Sequence, residues 1–117
     1  MQYILMLHID ETAFPKLSPA EQQRGMAAYA AYNEALAEAG VAVTMGRLQP
    51  RTTAATLRTR NGKVQVHDGP FAETKEQIGG FYIIDVVDRD AALDWAARCP
   101  ATGHGAVEMR PLWVDPA

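Results

Sequence analysis

The chain is short of the residues that do specialised chemistry on their own. It has one cysteine, Cys99, so no intrachain disulfide can form. Its three histidines, His8, His67 and His104, are scattered, and no Cys/His spacing resembles a zinc site, so no metal is expected. No basic run is available to track a phosphate backbone. The 11 Lys and Arg are outnumbered by 14 Asp and Glu, giving −3 with His neutral, which excludes nucleic acid as a first expectation for a partner. Long apolar runs are missing too. The opening stretch Gln2 to Ile9 is too short to span a membrane, and neither a basic segment nor a small-residue cleavage site flanks it. A cytoplasmic protein without membrane contact is expected.

What is present is an ordinary globular composition, 48% hydrophobic and 21% charged, over 117 residues, the length of one compact domain. Tyr3 to Ile9 reads as a buried strand. Ser18, Pro19 and Glu21 form the start signal of a helix over residues 19 to 39: a capping hydroxyl, a proline at the first helical position, and a carboxylate three residues after the cap. Met26, Tyr29, Ala30, Asn33, Leu36 and Ala37 recur at helical steps, and Gly40 ends the helix. Val41 to Leu48 reads as a strand. Thr53 to Arg60 and Lys63 to Asp68 flank Asn61-Gly62, the pair best suited to a type I′ hairpin, with one apolar and one wet face. Gly79 to Val87 is a strand, Asp88 caps a short helix ending near Pro100, and Ala106 to Val114 is the last strand. The order is an α+β, ferredoxin-like split β-α-β plan with an inserted hairpin.

Face counting carries a consequence for assembly. Tyr3, Leu5, Leu7 and Ile9 share one face of the first strand, and Ile4, Met6 and His8 share the other. Around residue 83 both parities are again apolar. Two helices cover one face of such a sheet, and a second copy is the simplest cover for the other, so a homodimer is inferred.

Asp68-Gly69-Pro70-Phe71, followed by the polar cluster Ala72 to Glu76 and by Gly79-Gly80-Phe81-Tyr82-Ile83-Ile84-Asp85, closely resembles the DGPF-domain branch of the YCII-related proteins. The segment Ala91 to Pro100 and the closing Val107 to Pro111 extend the resemblance over essentially the whole chain. It implies a dimeric α+β barrel. It also implies kinship with small-molecule lyases or isomerases, and with domains joined to sigma factors of the extracytoplasmic-function type. The wider group's histidine and aspartate pair, with the histidine commonly on the first helix, has no direct counterpart, because no histidine lies between Ser18 and Gly40.

The residues themselves offer acid/base chemistry. His8 should face the space between subunits, where an imidazole can shuttle a proton. The expected ferredoxin-like order sets strand one parallel to the strand holding Asp85, so a His8–Asp85 couple is one reading; a buried histidine satisfied by backbone or water is the other. Asp68 is read either as a general base or as a turn acceptor, and Asp10 either as a turn residue or as an alternative partner for His8. Arg47 or Lys75 would steer an anionic substrate; Glu73, Thr74, Lys75 and Glu76 are read either as lining the mouth of a pocket or as a solvated loop clamped by mutual ion pairs. Tyr29 is a further candidate contact from the first helix. Trp95 and Trp113 are expected in the core, His104 at the surface, and Cys99 inert. Two functions result: a cofactor-free isomerase or lyase acting on a small molecule, or a non-catalytic ligand-binding or regulatory module.

Overall fold

The structure is a computed structural model that describes residues 1–114. Six strands and two helices follow in chain order: β1 Gln2–Ile9, α1 Pro19–Glu38, β2 Ala42–Arg47, β3 Ala55–Arg60, β4 Lys63–Asp68, β5 Gln77–Asp85, α2 Arg89–Arg98 and β6 Ala106–Pro111. Four strands form one sheet in the order β2-β5-β1-β6, and β3 and β4 form a separate hairpin. Every pairing in the sheet is antiparallel, β1 with β5 and with β6 and β2 with β5. This is the ferredoxin-like order, but the expected parallel pairing of β1 with β5 is overturned. In a split β-α-β unit the strand inserted between two parallel ones runs against both.

Local chemistry sets the element ends as the sequence predicts. Ser18 accepts from the Glu21 backbone and Glu21 reaches back to the Ser18 N–H, a complete capping box. Asp88 accepts from the Ala91 N–H at 2.9 Å at the start of α2. Asn61 and Gly62 take positive φ angles of 52° and 75°, the backbone that a type I′ turn demands. The last strand is shorter than expected, closing at Pro111, and Trp113 stands 96% exposed beyond it rather than in the core.

The core lies between the helices and one face of the sheet. Tyr3, Leu5 and Leu7 from β1 meet Tyr82 and Ile84 from β5 and Leu36 from α1, with Ala92, Ala96 and Cys99 closing it from α2 and its end. Burial pushes the Cys99 thiol pKa up, as expected of an inert cysteine. Two phenols tie the layers: Tyr32 donates to the Trp95 carbonyl at 2.7 Å and Tyr82 to Asn33 Oδ1 at 2.6 Å. Their rings meet edge to face at 5.3 Å. Only Tyr32 and Leu36 of α1 are buried, and Met26, placed on the core stripe by periodicity, is 65% exposed. No residue in the first half of the helix is buried, and its neighbour there is the Phe14 segment, to whose carbonyl Gln22 donates at 3.0 Å.

The molecule is a slab 17 Å thin, one sheet and one helical layer. Its radius of gyration is 16.5 Å, against about 13 Å for a compact chain of this length, because the β3–β4 hairpin stands away from the body. All of β4 and most of β3 are exposed.

Leu5→Ala should cost about 2–5 kcal/mol, because Leu5 is fully buried at the centre of the sheet. Met26→Ala should stay within about 0.5 kcal/mol. Urea unfolding measures both, and equal losses would contradict this placement of the core.

Candidate functional site

His8 is positioned by a break in pairing. Along β1 the register runs from Leu7 opposite Gly80 to His8 opposite Ile78, so one residue of β5 is left over between them. Such a bulge turns the strand end and re-aims its side chains. The extra residue belongs to β5, so β1 alternates without a break and His8 shares the face of Ile4 and Met6, away from the helices, as parity predicts. On its other side β6 enters through Gly105, where a Cβ would collide with the His8 carbonyl oxygen, so glycine permits the close approach that begins the β1–β6 ladder.

That ladder supplies the partner the imidazole lacked in the sequence. His8 Nε2 lies 3.1 Å from Glu108 Oε1, and Arg110 Nε donates to Glu108 Oε2 at 2.6 Å. His8 pairs with Ala106, so Glu108 is its diagonal neighbour on the same face, within cross-strand reach. An ionised carboxylate only accepts, so Nε2 carries the proton in this pair and Nδ1 keeps its lone pair whenever the ring is neutral. Arg110 first, and His8 second, hold the Glu108 carboxyl below its ordinary pKa. The pairing therefore favours the folded state above the ordinary carboxylate range and is lost as pH falls through the lowered value.

Asp85 is not the partner. It lies opposite Gln2, at the far end of β1 from His8, and it accepts instead from the terminal amine of Met1 at 3.1 Å. Antiparallel pairing separates the two residues by about 20 Å along the strand.

Beside His8 lie two hollows of about 500 and 730 Å³. The first runs between the end of β1, the segment after β2 and the loop after β4, with Leu48, Pro50, Phe71 and Ile78 as apolar wall and His8 and Gln49 as polar groups. The second brings His8 together with Lys75 and Glu76, as the loop reading anticipates. The other expected contacts lie elsewhere. Asp68 is exposed at the base of the hairpin opposite Ala55, and Arg47 is exposed at the end of β2. Tyr29 packs on the helical side, its hydroxyl 3.0 Å from His104 Nε2, and burial pushes its pKa to about 12. Asp10 is spent on its own turn, accepting from the Thr12 N–H and hydroxyl.

Arg51 and Glu11 build the walls. Glu11 accepts from the Arg51 side chain at 2.7 Å and from its backbone N–H at 3.1 Å. The same guanidinium donates to the carbonyls of Thr74 at 2.6 Å and Lys75 at 3.0 Å. One planar fork thus pins three separate segments, with its charge balanced by a half-buried carboxylate. Sequence reading missed Arg51, Glu11 and Glu108. Glu108 and Arg110 carried a signal, since spacing by two puts them on one face of the last strand. Nothing local marks Arg51 or Glu11, which meet only through the fold.

Comparison with known proteins agrees with this architecture. Residues 1–114 match the family model of the YCII-related domain. An uncharacterised protein of Rhizobium meliloti strain 1021 is 43% identical over 116 residues, covering 96% of this chain and 92% of that protein. Among solved structures, 5-chloro-2-hydroxyhydroquinone dehydrochlorinase from Burkholderia phenoliruptrix AC1100, in complex with 2,5-dihydroxybenzoquinone, superposes with a TM-score of 0.55. It is 18% identical, over 97% of this chain and 94% of that one, a likeness of fold.

Two outcomes follow from this geometry. Arg51→Lys, which keeps the charge and loses the fork, should speed amide exchange across residues 72–78 while leaving β1 protected; unchanged exchange there would contradict the latch. In a carboxyl NMR titration Glu108 should ionise below the ordinary glutamate range, and Arg110→Gln should move it upward. An unmoved midpoint would remove Arg110 as the cause.

Proposed function

The chain belongs to the YCII-related domain family, and on that premise we propose that it is a cofactor-free acid/base catalyst, a lyase or isomerase of a small organic molecule. The observation that carries the reading is the His8–Glu108 pair at the junction of the two hollows. His8 takes a proton from the substrate and returns it, and Glu108, itself held ionised by Arg110, orients the ring and stabilises the imidazolium. Lys75 draws an anionic group of the substrate towards His8, and Glu76 is a second carboxylate at the mouth. The apolar wall of Leu48, Phe71 and Ile78 suits a flat hydrocarbon body rather than a sugar or a nucleotide.

The dehydrochlorinase with the same fold supports the lyase class. Loss of hydrogen chloride is a proton removal coupled to departure of chloride; His8 would take the proton, and Lys75 is the cation beside it in the second hollow. A second copy covers the open face of the sheet, so the chamber forms in a homodimer. No helix among the described residues is long and apolar enough to cross a membrane. Asp68, Asp85, Arg47 and Tyr29, standing away from His8, take no part in the transfer.

The test is solvent deuterium incorporation into a panel of small enolisable acids and hydroxylated rings, with chloride release from chlorinated hydroxyhydroquinones as a second readout. His8→Ala should lower the rate by about 10²–10⁴-fold. Glu108→Gln should lower it less and shift its pH profile. An unimpaired His8→Ala contradicts the assignment, and a ligand that raises the melting temperature without any turnover would identify a binding module instead.

A further inference from the structure

Resting on the second copy just proposed, we propose that the hairpin Ala55–Asp68 is an arm that lies across that copy through its own apolar face. The arm has two unlike sides. Leu57 faces Val66 and Thr59 faces Val64 across the ladder, while Arg58, Arg60, Lys63 and Gln65 occupy the other side. The charged side has a partner in its own chain, the Arg58 guanidinium lying 5.0 Å over the Phe71 ring. The apolar side has none. Leu57, Val64 and Val66 are 58%, 65% and 64% exposed, although nothing in the turn requires apolar residues there. A two-stranded hairpin is marginal alone in water, so a chain that makes one this regular gives it a surface to lie on.

Size and charge point to a second copy as that surface. Six paired residues on four strands give the open sheet face a plan area on the order of 400 Å², against roughly 800 Å² per partner in a standard interface. The hairpin's apolar side adds about half as much again. The arm also leaves the body at the His8 end of the sheet, because β5 resumes beside it at Gln77 and Ile78. The cover it gives is continuous with the open face carrying Ile4, Met6, Phe81 and Ile83. From Ala55 to Asp68 the arm holds Arg58, Arg60 and Lys63 against Asp68 alone, so the rest of the chain is more acidic than the overall −3. A basic arm on an acidic body favours docking between copies over docking to an acidic third party. His8 and Glu108 are 29% and 38% exposed in the single chain, a site that lacks its roof until the arm of another copy arrives.

Sedimentation velocity from nanomolar to high micromolar concentration tests this on the full chain and on Leu57→Thr/Val64→Thr/Val66→Thr. Threonine keeps the strand preference and deletes the apolar surface. The full chain should dimerise, the triple variant should show at least a tenfold weaker association with unchanged circular dichroism, and Gln65→Ser on the charged side should associate like the parent. Amide exchange of the parent guards against a variant that merely unfolds its arm: protection of residues 55–67 should rise with protein concentration. A parent dimer matched by an equally tight triple variant, or arm exchange independent of concentration, overturns the arm while leaving the second copy standing. A parent that stays monomeric overturns both.

Discussion

Two helices laid on a four-stranded sheet cover one side of it, and the candidate site lies on the side they leave. The constraint begins at β1, which, like β5 beside it, has antiparallel neighbours on both flanks and carries large apolar side chains in both parities. One parity, Tyr3, Leu5 and Leu7, is consumed by the core. The other, Ile4, Met6 and His8, is half-buried at most and ends on the one titratable ring that the sheet presents to the open side. Pairing geometry then decides who meets that ring. A carboxylate on β6 is a diagonal neighbour, whereas one at the far end of β5 is not.

The site is therefore made of two parts with different physical origins. The His8–Glu108–Arg110 row belongs to the sheet and is as rigid as the ladder beneath it. The hollows belong to loops, and those loops are ordered by Arg51 and Glu11 rather than by packing, since the segment from Ala72 to Glu76 is exposed throughout. Loop residues can change without disturbing the core, so these walls can alter in shape beside an unchanged His8–Glu108–Arg110 row.

Much of the fold was legible because its signals are local. The Ser18–Glu21 capping box, the Asp88 cap, the Asn61-Gly62 turn and the alternation in β1 each depend on a handful of neighbouring residues, and each forms as the pattern predicts. The resemblance carried by Asp68 to Asp85 extended this to the order of the strands. The site was legible only where it lies on one element. The face of His8 could be read by parity, and Lys75 and Glu76 stood out by the density of charge in their loop. Its partner was missed because strand direction is a property of topology: the wrong sense for β5 brought Asp85 near and left Glu108 unread. Met26 and Trp113 failed for the opposite reason. Their residue types are right for a core, but Met26 lies on the unburied half of α1 and Trp113 lies past the end of β6.

The central claim is that the apolar side of the sheet is closed by another copy of the chain. Peroxide oxidation of Met6 reads that closure, with the exposed Met26 of α1 as an internal reference. If the account holds, Met6 oxidises progressively more slowly as protein concentration rises through the micromolar range while Met26 keeps a constant rate. A Met6 rate that ignores concentration in the folded protein would contradict it.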